Sequence, residues 1–121
     1  MYFTTIVKLT VDDESSQPIR GVKVALFDRD RLSRDDHLGS ATTDENGEAR
    51  FQYSAAQFDD LDERIGGAFP ELYAVVSDAA DKQVISTRAE ALNNSAPKHI
   101  AVRIARDVAL RHSLLPREMP A

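Results

Sequence analysis

Cysteine is absent from the 121 residues. Its absence excludes disulfides, thiolate metal ligands and a cysteine nucleophile together, and it leaves the compartment undecided. Positive charge is also in deficit. The formal net charge is −5 and the pI near 5.1, so a general phosphate-backbone binder, which needs a cationic face, is not expected. Electrostatic attachment to anionic lipid is disfavoured for the same reason. No apolar run approaches the roughly 18–20 residues that a membrane helix requires. Met1 to Leu9 lacks a basic stretch followed by an apolar one, so no signal peptide is read. The expectation is a soluble, cytoplasmic chain, or an extracytoplasmic one if a leader was removed or the chain is a fragment.

What is present is hydrophobic residues in alternation. They make up 42% of the chain, which at this length suffices for one domain with its own core. Phe3, Thr5, Val7, Leu9 and Val11 share one parity; Tyr2, Thr4, Lys8 and Thr10 share the other. Period two is the mark of a strand. Asp12 to Ser16 and Pro18 break it as a turn, and Val22, Val24 and Leu26 resume it. A polar stretch covers 28–38, and a short strand is read over Gly39 to Thr43. Asp44-Glu45-Asn46-Gly47 reads as a tight turn closing a hairpin with Ala49, Phe51 and Tyr53. Phe58, Leu61 and Ile65 have helical spacing within an acidic connection over 54–70. Leu72 to Val76 reads as a central strand, Val84 to Thr87 as a short one, and Ile100, Val102 and Ile104 as the last.

Short strands at turn-punctuated spacing predict an all-β fold: a single antiparallel seven- to eight-stranded Greek-key β-sandwich over 1–105, with a short helix in the 54–70 connection. Residues 106–121 read as a C-terminal tail, partly helical or disordered. If each strand crosses the sandwich once, the turns at 12–20, 44–47 and 78–82 share one end. The loops at 28–38, 54–70 and 88–97 share the other. Those loops are longer and chemically richer, and a rigid scaffold commonly carries its binding residues on such loops.

The strongest local signal is Asp28 to Gly39. Asp28, Asp30 and Asp36, with loop carbonyls, could supply much of the oxygen shell of a hard cation, so calcium is the candidate cofactor. Asp35, His37, Asp59, Asp60 and Asp62 are candidate ligand contacts around it. The spacing of Asp28, Asp30, Asp36 and Gly39 resembles the third calcium-binding loop of the synaptotagmin-type calcium- and phospholipid-binding domains. The plainer reading is internal pairing: Arg29, Arg31 and Arg34 lie among the four aspartates, and solvated pairs of this kind contribute little.

A wider likeness covers roughly residues 4–105. Pro18-Ile19-Arg20-Gly21-Val22, a strand ending in Phe27-Asp28, Asp35-Asp36 before Leu38-Gly39, and Thr43-Asp44-Glu45-Asn46-Gly47 before an aromatic strand are similar to transthyretin-like and carboxypeptidase-regulatory-like sandwiches. The resemblance implies a prealbumin-type, immunoglobulin-like sandwich with carrier, accessory or adhesion roles. Its hydrolytic branch, the hydroxyisourate hydrolases, is not matched. The N-terminal segment has no His, Glu48 stands where Arg follows the turn, and the chain closes on Pro116-Arg117-Glu118-Met119-Pro120-Ala121.

Nothing else forms a catalytic set. His37, His99 and His112 lack metal-ligand spacing, and Ser33 and Ser86 have no visible base. Gly66-Gly67 lacks the lysine of a phosphate loop. Phe58, Phe69 and Tyr73 could line an apolar pocket, though core packing is the commoner fate of such residues. The expectation is therefore no enzyme but a non-catalytic binding module. It would use loops 28–38, 54–70 and 88–97 for a protein or carbohydrate partner, with calcium ordering the first. The alternative is a structural or assembly protein that self-associates through sheet faces or edges. Tyr2, Ile6, Val75 and Ile85 are read on the outer parity for that purpose.

Overall fold

The computed structural model describes residues 2–29, 34–54, 71–93 and 99–115. They form a β-sandwich of two sheets. The strands are β1 (Tyr2–Val11), β2 (Lys23–Asp28), β3 (Asp36–Thr42), β4 (Glu48–Ser54), β5 (Glu71–Ser77), β6 (Gln83–Ser86), β7 (Leu92–Asn93) and β8 (His99–Ile104), followed by a helix, α1 (Arg106–Arg111). One sheet has the order β4-β1-β8. The other has β3-β2-β5-β6, with β7 also on β5. The short helix expected in the 54–70 connection lies outside the described residues.

Parity does what the alternation predicts. Thr5, Val7, Leu9 and Val11 of β1, Ala49, Phe51 and Tyr53 of β4, and Ile100, Val102 and Ile104 of β8 are buried in one core with Val24 and Leu26 of β2. β5 is buried on both parities, with Leu72, Tyr73, Ala74 and Val76 all covered. A strand with neighbours on both edges and cover on both faces reads as a continuous apolar run for that reason. Ile85 departs from the outer parity assigned to it. It lies opposite Val76 on the inward side and packs on the core. The register shift between Val76 and Ser77 is the kind of irregularity that residue counting does not see. Ile6 and Val75 are half-buried, and the exposed large hydrophobic among the described residues is Leu110 on α1.

The turn at 44–47 is present, but it does not close a hairpin. β3 pairs with β2 and β4 pairs with β1, so the turn is a corner between sheets. Asp44 holds it, accepting N–H groups of Asn46 (2.9 Å) and Glu48 (3.0 Å) on one carboxylate oxygen. The Leu9 N–H donates to the Gly47 carbonyl (2.8 Å), which draws the outgoing strand onto β1. The pairing is otherwise antiparallel among the described strands, but β1 and β8 run parallel. Parallel neighbours need a crossover, and here the intervening strands supply it.

The chain after Ile104 returns to the core. Ala109, Leu114 and Leu115 are buried in the same cluster. Arg106 donates to Asp13 (2.8 Å), and His112 Nδ1 lies 2.9 Å from Asp78. At this end Thr43 bonds Gly21 and Val22, and Lys23 bonds Asp81. The turns after β1, β3 and β5 therefore share one end of the sandwich. The ends of β2 and β4 and the starts of β3 and β5 share the other.

Candidate functional site

At that second end the register across β3-β2-β5 sets three rings in a row. Phe27 has His37 as its partner on β3 and Tyr73 as its partner on β5. All three belong to the parity that faces away from the core, since Leu26 and Asp28 face inward. Phe27 and Tyr73 stack with centroids 5.3 Å apart and an interplanar angle of 12°. Phe27 and His37 are 5.1 Å apart and tilted. Such offset pairs are favourable beyond the area they bury. His37 Nε2 also lies 2.9 Å from Ser40 Oγ.

Charged groups from two loops close over this row. The Tyr73 hydroxyl donates to Asp35. Arg88, in the short 3-10 turn after β6, grips the same carboxylate through Nε (2.7 Å) and Nη2 (3.2 Å). Its guanidinium lies 6.0 Å from the centre of the Tyr73 ring, within cation–π reach. Arg29 donates from Nε to Glu71 (2.8 Å) and from Nη1 to the Arg88 carbonyl (3.2 Å). The strand ends and the 3-10 turn are thus tied into one polar rim. Burial pushes the Tyr73 phenol up to about 12, and the bond to Asp35 adds to the shift. Tyr73 therefore serves as a hydrogen-bond donor rather than a base. Asp35 in turn holds the Arg88 proton more firmly than usual. Asp35 is 15% exposed at its side chain and Arg88 53%, so Arg88 offers its free edge to solvent.

The aspartates read from the sequence fall on different faces. Asp28 is inside the sandwich end, 1% exposed, and accepts the Glu71 N–H (2.9 Å). Asp36 lies directly opposite it on β3. Asp35 bonds instead to Tyr73 on the outer face, beside His37. Asp30, Asp59, Asp60 and Asp62 lie outside the described residues. Among the described residues no three His, Asp or Glu side chains gather as a metal site. Sequence reasoning missed Phe27, Glu71 and Arg88, and offered Tyr73 only for a pocket with Phe58 and Phe69. The parity of Phe27 and Tyr73 was readable, but their adjacency depends on strand register.

No family model matches the chain, and no curated protein matches it. Among solved structures, the crystal structure of a 9R-lipoxygenase from Cyanothece PCC8801 resembles it. The TM-score is 0.50 at 18% identity, over 85% of this chain and 16% of the lipoxygenase chain. This chain thus spans about a sixth of that protein, and the likeness shows the fold alone. It corrects one expectation: a solved structure that this chain resembles is that of an enzyme, so the reading of the chain as no enzyme is withdrawn.

Proposed function

We propose that this chain is a binding module for a carbohydrate, held on the outer face of β3-β2-β5 beside Asp35 and Arg88. The observation that carries the reading is the row His37–Phe27–Tyr73 flanked by the Arg88–Asp35 pair. A sugar ring presents apolar C–H faces and vicinal hydroxyls. Aromatic faces beside a few fixed polar groups match both, and fixed polar groups around an apolar floor are the usual makeup of a small-ligand site. The eight strands in two sheets support the prealbumin-type resemblance. Calcium stays part of the proposal through Asp28, Asp30 and Asp36. The facing pair Asp28 and Asp36 supports it, and Asp30 would have to complete it.

The test is calorimetric titration of neutral and acidic oligosaccharides into the chelator-stripped chain, repeated in millimolar calcium. Binding to one sugar class is expected, with Arg88→Ala weakening it about tenfold or more by removing a charged hydrogen-bonding group. A calcium arm indistinguishable from the stripped arm, in heat and in melting temperature, removes the metal from the reading. Failure of every sugar in both arms, with binding to a protein partner instead, overturns the carbohydrate reading.

A further inference from the structure

His37 and Ser40 stand three residues apart on β3, a spacing that turns side chains to opposite faces in an unbroken strand. A bulge changes that. The β2–β3 register shifts between Leu26, opposite Gly39, and Phe27, opposite His37, so Leu38 is the extra residue. Leu38 is buried, and a Cβ on Gly39 would lie 3.4 Å from the core ring of Phe51. Two successive positions thus face inward, and Ser40 emerges on the same side as His37. Both are exposed, and His37 Nε2 lies 2.9 Å from Ser40 Oγ. Phe27 backs the imidazole with ring centroids 5.1 Å apart. The surroundings of Ser40 differ in three directions. The Thr43 N–H donates to the Val22 carbonyl (2.9 Å), which fixes the alternation along β3. Ala41 and Gly39 turn their polar groups toward β2, and Ser40 turns its N–H to the outer edge of the sheet. Toward β2, Ala25 lies opposite Ser40 and Val75 opposite Ala25, a half-buried apolar floor. Along β3, His37 stands between Ser40 and the Phe27–Tyr73 row.

We propose that Ser40 is an acyl nucleophile with His37 as its base, and that the pair removes a short acyl group, such as acetyl, from a hydroxyl of the bound sugar. The sugar half rests on the carbohydrate reading above; the acyl-transfer half rests on the bulge and the 2.9 Å contact. A nucleophile and a base within hydrogen-bond reach are the elements of such a site. With the imidazole proton on Nδ1, Nε2 accepts the Ser40 hydroxyl. Oγ adds to the ester carbonyl carbon while His37 takes the hydroxyl proton and the carbonyl electron pair moves onto oxygen. On collapse the bond from the acyl carbon to the sugar oxygen breaks, and His37 gives its proton to that oxygen. Water then attacks the Ser40 ester and yields a proton to His37. The carboxylic acid departs, and Oγ takes that proton back. The three surroundings of Ser40 match the three substituents of the attacked carbon. The carbonyl oxygen faces the Ser40 N–H at the sheet edge, where a fixed donor steadies the developing charge. The acyl group lies over Ala25 and Val75, a floor two side chains wide that suits a few carbons. The sugar oxygen lies beside His37, which sets the sugar itself on the aromatic row.

The test has two arms, both on the whole chain. In the first, an alkyl fluorophosphonate is the probe and peptide mass mapping finds the label, with p-nitrophenyl acetate hydrolysis measured alongside. Ser40 should be the serine labelled, and His37→Gln should slow both labelling and hydrolysis roughly a hundredfold or more. Ser40→Ala should abolish the label and reduce hydrolysis to the same level. Both side chains are exposed, so the melting temperatures of the variants should match that of the parent. No label at Ser40, or hydrolysis unchanged in Ser40→Ala, overturns the proposal whether or not sugars bind. In the second arm, acetate release from O-acetylated oligosaccharides is followed by proton NMR, and release that needs Ser40 is expected. Labelling at Ser40 without acetate release, from a chain that binds the unacetylated sugars, overturns the acyl-sugar substrate. Labelling at Ser40 in a chain that binds no sugar of either kind overturns the carbohydrate reading and the substrate with it.

Discussion

Gly47 tests the packing account at a single atom. Its φ is +76°, and a Cβ built there would lie 2.5 Å from the Leu9 carbonyl oxygen and 3.1 Å from the Ile19 nitrogen. Gly21 has nearly the same backbone, φ +73°, but a Cβ there meets nothing within 4 Å. The two alanine variants therefore share the conformational penalty and differ in the clash. The left-handed conformation costs about 1–2 kcal/mol, partly offset by a stiffer unfolded chain, so Gly21→Ala should lose roughly 1 kcal/mol. Gly47→Ala must also push apart groups that the Leu9 and Ile19 backbone bonds hold together. Overpacking of this kind adds about 1–3 kcal/mol, for a total near 3 kcal/mol. Urea unfolding of the three proteins reads the difference directly. Equal losses within about 0.5 kcal/mol would show that the corner at 44–47 is not packed on β1, and the reasoning about why that turn changes sheets would fail.

The remaining expectations follow from other parts of the fold. Leu115→Ala should lose about 2–4 kcal/mol in denaturant unfolding, because Leu115 is buried in the shared core; a loss under about 0.5 kcal/mol would mean that the segment after β8 is not part of it. Bonds from Ser15 and Arg106 lower the Asp13 carboxyl to about 2, and the His112 bond lowers Asp78. Both shifts are depressions, so their contribution is full above the ordinary carboxylate pKa and is lost as pH falls through the folded value. The melting temperature should therefore drop between about pH 4 and 2, and Asp13→Asn should flatten part of that drop. Tyr73 is shifted the other way, up to about 12. Its contribution is full below the ordinary tyrosine pKa of about 10 and is lost as pH rises toward 12. Tyr73→Phe should remove a late component from the ultraviolet tyrosinate titration, and loss of an ordinary component near pH 10 instead would contradict the burial and the Asp35 bond that raise it.

Much of the scaffold was legible because one face of each strand is buried. Alternation at Thr5 to Val11, Ala49 to Tyr53 and Ile100 to Ile104 fixes which side chains enter the core whatever the strands pair with. The division of turns and loops between two ends was legible too, since strands that each cross once must return their connections alternately. Partner choice was not. Asn46-Gly47 encodes a turn, but its chemistry is the same whether the next strand joins the same sheet or the other. The decision came from Leu9 and Ile19, far away in sequence. Strand start was missed at β3, which begins at Asp36 rather than Gly39 because Asp28 and Asp36 pair across the strand ends. The candidate site suffered most. Aspartates stand out locally, whereas Phe27, Tyr73 and Arg88 meet only through the β2–β5 register and the 3-10 turn after β6, which no short motif announces.

Amide and aromatic shift mapping during titration with the best-binding oligosaccharide bears most directly on where the ligand sits. Changes should centre on the Phe27, His37 and Tyr73 rings and the Arg88 side chain, and should vanish in Phe27→Ala. A saturable interaction that perturbs other surfaces and leaves those three rings unmoved would contradict the account.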